Sequence, residues 1–298
     1  MAAINFAQQP KEVDGTTESV SPSRQGITSN MLFSITPVIL TFNEAPNLPR
    51  TLAQLSWAHD MVVVDSGSTD ETLAILKSDP RIRVFQRLFD THQGQWHFAT
   101  HETGISSDWL LRLDADYFVT QGLIDEMAAL DPWGPENGYR IAFDYAIYSR
   151  VLIASLYPPN TVLLRRNHFK IINAGHTEAW KVEGPVRDLK GKIIHDDHKS
   201  LSHWLSSQQR YARKEVDFLF SAPRSALSRI DRIRRTGWIA PLLVLPYVLF
   251  WKGCIRDGWA GWYYAFQRLL AETVIALELL DRRLRGRAPN QSNGGEFG

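Results

Sequence analysis

The feature that most constrains the fold is a regular alternation after residue 30: apolar runs as long as buried strands, separated by segments with helical periodicity. The apolar runs are 35–40, 61–65, 81–85 and 109–113, and the helical segments are 45–55, 69–78 and 94–105. We expect Pro37 to confine the first strand to the residues after it. The alternation predicts an α/β fold, with a wound, parallel sheet covered by helices.

Polar clusters stand directly after three of the predicted strands. They are Thr41-Phe42-Asn43-Glu44, Asp65-Ser66-Gly67-Ser68 and Asp114-Ala115-Asp116. In open α/β sheets, ligands bind in the crevice beyond the carboxyl ends of the strands. The sequence therefore predicts that one crevice collects all three clusters.

Asp114 and Asp116 are candidate ligands of a metal ion. Side chains two positions apart in an extended segment project to the same side, so the two carboxylates could grip one cation. Mg²⁺ and Mn²⁺ are commonly held by one or two carboxylates together with substrate phosphates. A pair of solvated loop acids is the alternative, but the position directly after a strand favours a metal that neutralises a diphosphate.

The segment VVVDSGSTDE admits a structural and a functional interpretation. Ser68 and Glu71 have the spacing of a capping box at the start of a helix, and Gly67 would supply the turn before it. This leaves unexplained why Asp65 ends an apolar strand. Its carboxylate could accept a hydrogen bond from a nucleotide base or ribose.

Two later segments hold further candidates. A displacement driven by a leaving diphosphate needs a base opposite it, and GHTEAW offers His176 and Glu178, although Glu178 could equally be a surface residue. In IIHDDHKS, His195 could add one ligand to a carboxylate-held Mg²⁺ or Mn²⁺, or serve structure alone. The sequence contains no zinc-binding spacing, no P-loop, no dinucleotide fingerprint and no nucleophile elbow.

Composition limits the partners and the compartment. Lys and Arg total 33 against 32 Asp and Glu, so a net charge of +1 predicts no nucleic-acid binding. The single cysteine, Cys254, allows no intrachain disulfide and favours a reducing, cytoplasmic location. Residues 1–30 lack the features of a secretory signal and, like the glycine-rich tail 287–298, are predicted to be disordered.

Between these ends, a catalytic domain is predicted over 31–220 and a basic, apolar extension over 221–286. The extension opens with SAPRSALSRIDRIRR, which holds five arginines, and the apolar stretch 237–251 that follows has 15 residues. A bilayer-spanning helix needs about 20 residues, so we expect no span. Arginines beside Trp and Tyr are typical of a helix lying in the headgroup region of an anionic membrane. Ordinary packing on the catalytic domain or across a dimer is the alternative.

Five segments in order carry a family resemblance: ILTFNEAPNLPRTL, VVVDSGSTDET, DWLLRLDAD, GHTE and IIHDDHKSLSHWLSSQQRYA. Over residues 32–215 the chain resembles the inverting, family-two glycosyltransferases of the GT-A fold, a Rossmann-like wound sheet. Within that family it is most similar to the bacterial lipopolysaccharide-core β-glucosyltransferase type.

The resemblance implies roles for individual residues. It implies nucleotide binding by Thr41, Asn43, Glu44, Asp65 and Asp114, metal binding by Asp114, Asp116 and His195, and a catalytic base at Glu178. The chain departs from the family pattern where Tyr117 replaces a third acid and where Gln95-Trp96-His97 replaces a Q-R-N triplet. These departures leave the donor sugar open.

The expected activity is metal-dependent, inverting transfer of a sugar from a nucleotide donor to a hydroxyl of a lipid-linked or polysaccharide acceptor, and we expect the donor to be UDP-linked. The expected place is the inner face of the cell membrane, in envelope glycan synthesis. A sugar-phosphate nucleotidyltransferase is an alternative, although the segment TFNEAPN lacks its glycine-rich, basic loop. A nucleotide-binding membrane scaffold without chemistry is another.

Overall fold

The computed structural model describes residues 30–174 and 177–286, without the side chains of 173, 174 and 177–179. The predicted disordered lead-in and tail therefore lie outside the described residues, apart from Asn30. The strands are β1 (Ile35–Thr41), β2 (Met61–Asp65), β3 (Ile82–Gln86), β4 (Trp109–Asp114), β5 (Tyr117–Val119), β6 (Gly138–Ile147), β7 (Arg150–Val151), β8 (Asn160–Arg165), β9 (Phe169–Ala174), β10 (Thr177–Val182) and β11 (Val186–His195). The helices are α1 (Leu48–Ala53), α2 (Thr72–Lys77), α3 (His92–His101), α4 (Gln121–Ala128), α5 (Leu201–Ser221), α6 (Arg229–Arg234), α7 (Ile239–Pro246) and α8 (Trp259–Arg285).

One large sheet organises these elements, in the order β3-β2-β1-β4-β8-β6-β11-β5, with β7 paired to β6. The first four strands are parallel, as the alternation predicts. Beyond β4 the sheet is mixed, because β8 runs antiparallel to both β4 and β6, and β5 runs antiparallel to β11. Strands β9 and β10 form a separate antiparallel pair.

The central strands are buried on both faces. In β2 the alternating side chains Met61 and Val63 enter one apolar cluster, and Val62 and Val64 enter another on the opposite face. Helix-covered parallel strands require this, which explains why MVVVD is an unbroken apolar run.

Pro37 does not delay the first strand, so that prediction is wrong. Strand β1 begins at Ile35, and its residues from Ile35 onward pair with β4. Pairing with β2 begins only at Val38. Pro37 therefore stands where β1 has a neighbour on one side alone, and a missing N–H is tolerated there.

The C-terminal helices pack on the catalytic domain. Tyr264 of α8 and Val248 enter one apolar cluster with Ile147 and Leu152, which lie at and just beyond the ends of β6 and β7. Arg234 of α6 makes ion pairs with Glu215 of α5 and Glu272 of α8, at 3.0 and 2.5 Å. Within the part of the chain that the structure describes, every helix is too short or too polar to cross a bilayer.

Candidate active site

The three predicted polar clusters meet at one edge of the sheet. In the ladder, Thr41 stands opposite Asp65 and Leu40 stands opposite Asp114. Strands β2, β1 and β4 are neighbours and run in the same direction, so their carboxyl ends open onto a single crevice. The three clusters therefore lie together at one edge of the sheet, as predicted.

Asp65 is fully buried, and both of its carboxylate oxygens accept hydrogen bonds from within the chain. One carboxylate oxygen accepts from the backbone N–H groups of Gly67 and Ser68, at 3.0 and 2.9 Å. The other accepts from the hydroxyls of Thr41 and Ser68, at 3.1 and 2.5 Å. Gly67 has φ +94°, a conformation that glycine adopts without strain. In this geometry Asp65 shapes the loop that follows β2.

The capping box predicted at Ser68 and Glu71 is absent, so that interpretation is wrong. The hydroxyl of Ser68 points to Asp65 instead, and helix α2 begins later, at Thr72. The side chain of Asp70 accepts from the backbone N–H of Thr72 at 3.0 Å. As a helix cap, the Ser68 oxygen would accept from a backbone N–H of the first turn, but here it accepts from the N–H of Asn43 at 2.8 Å.

Asn43 joins the loops after β1 and β2. Its backbone N–H donates to the Ser68 hydroxyl at 2.8 Å, and its side-chain oxygen accepts from Thr69 N–H at 2.8 Å. Asn43 has φ 54°, a left-handed conformation that asparagine tolerates better than most residues. Gln95, the one member of the family's Q-R-N triplet that this chain keeps, is buried and donates to the Ser66 hydroxyl at 2.9 Å. The two loops are thus fixed before any ligand arrives.

Asp114 and Asp116 form an acid pair at the end of β4. Both are half-buried, and Asp116 keeps 16% of its side chain exposed, whereas Asp65 keeps none. Burial, and then the charge of Asp116, raise the pKa of Asp114. Two neighbouring carboxylates that lose solvent together disfavour double ionisation.

His195 supports one member of this pair. Its Nε2 lies 3.0 Å from Oδ2 of Asp116. Burial opposes the charged form of each residue, but the histidine's charge and hydrogen bond lower the pKa of Asp116, and Asp116 raises the pKa of His195. The sequence-predicted trio of Asp114, Asp116 and His195 is therefore assembled in one place.

The acid pair fits a divalent cation held partly by substrate. Among the described residues, no group of three or more His, Cys, Asp or Glu side chains converges as a ready-made metal cage. Burial and the charge of Asp116 raise the pKa of Asp114, and a bound cation would favour its ionised form. Mg²⁺ usually takes one or two carboxylates and completes its shell with water and substrate phosphates. The donor set of Asp114 and Asp116, with His195 beside them, suits that coordination.

Glu44 and Lys199 meet in the same crevice across 155 residues of sequence, with Lys199 Nζ 2.5 Å from Glu44 Oε1. Burial, and then the charge of Asp116, raise the pKa of Glu44 to about 8 against the opposing effect of Lys199. Asn47 donates to the second oxygen of Glu44 at 2.9 Å and also to Asp197 at 2.9 Å. The segment after β11 is thereby tied to the start of α1.

A second tie involves Asp196, which is buried. Arg50 of α1 donates to its carboxylate at 2.7 Å, and Nε2 of His198 lies 2.9 Å from the same oxygen. The sequence offered Asp196, Asp197 and His198 only as a polar run. Their partners Arg50 and Asn47 were missed, because the sequence separation hides contacts that the closing of the sheet creates.

Aromatic side chains enclose His195. The ring centroids of Tyr145, Tyr157 and Tyr117 lie 4.9, 5.1 and 5.5 Å from the histidine ring. Tyr117 stands where the family often has a third acid, and its hydroxyl bonds that of Tyr157. Tyr145 also contacts Tyr264 of α8 at 5.0 Å, so the C-terminal extension supports the wall of the crevice.

For the predicted base, Glu178, the structure describes the backbone but not the side chain. The backbone of Glu178 lies in β10, opposite Asn173 of β9, and His176 lies outside the described residues. Trp180, further along β10, packs against Arg112 of β4, whose guanidinium carbon lies 4.6 Å from the indole centroid. Strand β10 therefore passes beside β4, the strand that ends in the acid pair.

Comparison with known proteins supplies the family. The model of glycosyl transferase family 2 matches residues 36–172. The lipopolysaccharide core biosynthesis glycosyltransferase LpsC of Rhizobium meliloti (strain 1021) is 30% identical over 267 residues, which cover 85% of this chain and 94% of LpsC. An uncharacterized glycosyltransferase of Rickettsia bellii (strain RML369-C) is 36% identical over 94 residues, or 31% of each chain.

Among solved structures, S. aureus TarS 1–349 superposes with a TM-score of 0.40 and 11% identity, covering 86% of this chain and 93% of that one. This likeness is too loose to transfer any residue or ligand. The family model and LpsC are sufficient, and they exclude the nucleotidyltransferase alternative. The wound sheet of the GT-A type and the enzyme class predicted from the motifs are confirmed, and the chain belongs to glycosyltransferase family 2.

Proposed function

We propose that this glycosyltransferase moves a sugar from a nucleotide donor, UDP-linked, to a hydroxyl of a lipid-linked or polysaccharide acceptor in envelope glycan synthesis. The name of LpsC supports the envelope pathway. The observation that carries the proposal is the half-buried pair Asp114 and Asp116 at the end of a central parallel strand, with His195 against Asp116. Ligands of such sheets bind at this edge.

The donor would lie across the loops after β1 and β2. We assign nucleotide contacts to Thr41, Asn43, Glu44 and Asp65, with Asp114 between nucleotide and diphosphate. Because Asp65 is already saturated by the chain, its contribution is to hold the loop through which Asn43 and the backbone reach the donor. Because the chain already holds Asn43 and this backbone in place, they need no reorganisation when the nucleotide binds.

Asp114, Asp116 and His195 would hold a Mg²⁺ or Mn²⁺ ion. When bound, the ion would act as a Lewis acid that stabilises the negative charge of the leaving diphosphate. The chain's own part is to keep these side chains in place, which the contacts of His195 with Tyr145 and Tyr157 achieve.

Glu178 would act as the general base. It takes the proton of the acceptor hydroxyl while the hydroxyl oxygen bonds to the anomeric carbon and the bond from that carbon to the diphosphate breaks. A single displacement from the opposite face inverts the configuration. Correct alignment of the two reactants supplies much of the rate enhancement.

The C-terminal extension would bring the enzyme to the cytoplasmic leaflet. Its exposed apolar side chains include Trp238, Leu242, Phe250, Trp251 and Trp259, with exposed fractions from 54% to 82%. Monomeric soluble proteins seldom expose so many large apolar groups together. Five arginines precede them in sequence, at positions 224, 229, 232, 234 and 235, which suits an anionic membrane surface.

A thermal-shift screen of nucleoside diphosphates, with and without Mn²⁺, tests the donor site. We expect stabilisation by UDP that grows when Mn²⁺ is added, and slow hydrolysis of a UDP-sugar under the same conditions. Nucleotide binding without turnover of any nucleotide sugar would instead favour the scaffold alternative. Absence of any nucleotide effect would overturn the donor site itself.

A further inference from the structure

A cavity of about 460 Å³ lies on the C-terminal extension, away from the reaction crevice. The loop between α5 and α6 forms one wall, with Pro223, Arg224 and Leu227, and α6 with the residues after it forms the other, with Arg232 and Arg235. Leu227 is buried. The cavity therefore combines three arginines with an apolar floor.

These arginines carry uncompensated charge. On the same helix, Arg234 turns the other way and is neutralised by Glu215 and Glu272. Over the described residues, Arg224, Arg232 and Arg235 make no ion pair with any carboxylate. Three unpaired guanidinium groups at one cavity repel each other, so the site favours a polyvalent anion such as a phosphate.

The backbone around the cavity is held in place without such an anion. Nε of Arg232 donates to the carbonyl of Leu227 at 3.1 Å. Arg283 of α8 donates to the carbonyls of Arg235 and Thr236, the second at 3.3 Å. The cavity is thus a fixed feature of the helical extension, and it keeps its shape when empty.

The surroundings of the cavity indicate the source of the phosphate. Ile230 and Ile233 project from α6 with exposed fractions of 62% and 38%, and Trp238 and Leu242, just beyond the cavity wall, are 61% and 66% exposed. A free phosphate in water needs no apolar rim. A phospholipid headgroup does, because its acyl chains continue into an apolar phase.

We propose that the cavity lined by Arg224, Arg232 and Arg235 binds the phosphate of an anionic phospholipid, and so fixes the orientation of the enzyme on the bilayer. This inference rests on the proposed membrane association and is independent of sugar transfer. Basic pockets beside apolar helices are suited to lipid phosphates.

The test compares Arg235→Gln and Arg232→Gln with Arg229→Gln, a matched control on the same helix that is exposed but outside the cavity. Binding is measured by co-sedimentation with vesicles of phosphatidylcholine, with and without phosphatidylglycerol. Each cavity variant should bind the phosphatidylglycerol vesicles roughly fivefold more weakly. Arg229→Gln should lose clearly less, and hydrolysis of the donor in solution should be the same in all proteins.

Three results would overturn the proposal. The first is an equal loss in Arg229→Gln and the cavity variants, which would reduce the effect to general surface charge. The second is wild-type binding that does not depend on phosphatidylglycerol. The third is thermal stabilisation by inorganic phosphate that Arg235→Gln abolishes while vesicle binding is unchanged, which would assign the cavity to a free anion. Failure of donor hydrolysis in the wild type would bear on the proposed function alone.

Discussion

Two regions depart from the usual burial of apolar residues and exposure of charged ones, in opposite directions. One is the crevice at the carboxyl ends of the central strands, and the other is the C-terminal extension. At the crevice, Asp65, Asp196 and Glu44 are charged residues withdrawn from water. On the extension, Phe250 and Trp251 are apolar residues left in it. Both arrangements are costly alone, because buried charge loses hydration and exposed apolar surface orders water.

The two regions balance these costs differently. Asp65 accepts four hydrogen bonds and Asp196 faces Arg50, so most of the buried charge in the crevice is satisfied internally. At the acid pair, Asp116 has His195 as its partner, whereas burial and the charge of Asp116 raise the pKa of Asp114. The extension leaves whole surfaces without a partner. The acid pair therefore suits a small ligand, a metal ion. The exposed apolar surface suits a large partner, a membrane.

The largest effect is expected when an acid that would bind a cation in the crevice is removed. Asp116→Asn should abolish Mn²⁺-dependent donor binding while the fold remains intact. We expect the loss to exceed the roughly 10- to 100-fold effect of losing an outer-shell partner of a metal. Calorimetric titration of UDP with and without Mn²⁺ measures it, and Asp188→Asn, in an exposed ion pair with Arg140, is the control. Unchanged affinity would remove the metal role.

The next largest effect concerns catalysis without binding. Glu178→Gln should leave donor affinity as it is and slow transfer by about 10²- to 10⁴-fold, because general base catalysis contributes that much. Steady-state transfer assays combined with donor titration separate the two quantities. Retained turnover would direct attention to His176 or Asp196 as the base.

A smaller effect, on membrane binding, is expected from variants of the C-terminal extension. The double variant Phe250→Ser and Trp251→Ser should weaken partitioning to anionic vesicles by roughly tenfold, because two large apolar side chains no longer enter the interface. Trp133→Ser is the control, since Trp133 is 67% exposed but lies on the catalytic domain. Equal losses in both proteins, or none in either, would leave the apolar face as a contact for another protein.

Point variants suit this purpose better than removal of the extension. Helix α8 contributes Tyr264 to a cluster with Ile147 and Leu152, and Tyr264 also contacts Tyr145 beside His195. Truncation after residue 220 would uncover that cluster and disturb the crevice. Its effects on membrane binding and on folding could not be separated.

The last prediction is a pH dependence of stability from Glu44. Its pKa rises from 4.5 to about 8 on folding, so the folded protein holds a proton that the unfolded chain has released between these values. This contribution to stability is complete at low pH and is lost as the pH rises toward 8. In urea unfolding at several pH values, Glu44→Gln should flatten the decline, and exposed Glu71→Gln should not. An unchanged slope would show that Lys199 keeps Glu44 ionised.

The sequence by itself determined the parallel half of the sheet and which of its edges carries the polar clusters. Periodicity and strand length are local properties, so β1 to β4 and the polar residues at their ends could be predicted within a few positions. The acid pair Asp114 and Asp116 was evident because a strand places alternate side chains on one face whatever surrounds it. His195 followed from its place in the motif series.

Tertiary structure alone decided which partners these residues have. Ser68 had the spacing of a helix cap, but its oxygen accepts from the N–H of Asn43 and its hydroxyl donates to Asp65. The pairing of Glu44 with Lys199 and of Arg50 with Asp196 joins residues about 150 positions apart, which no local pattern encodes. Closing the mixed half of the sheet brings the segment after β11 against α1. Contacts of this kind depend on the whole chain because their free energy is gained only when distant elements have packed.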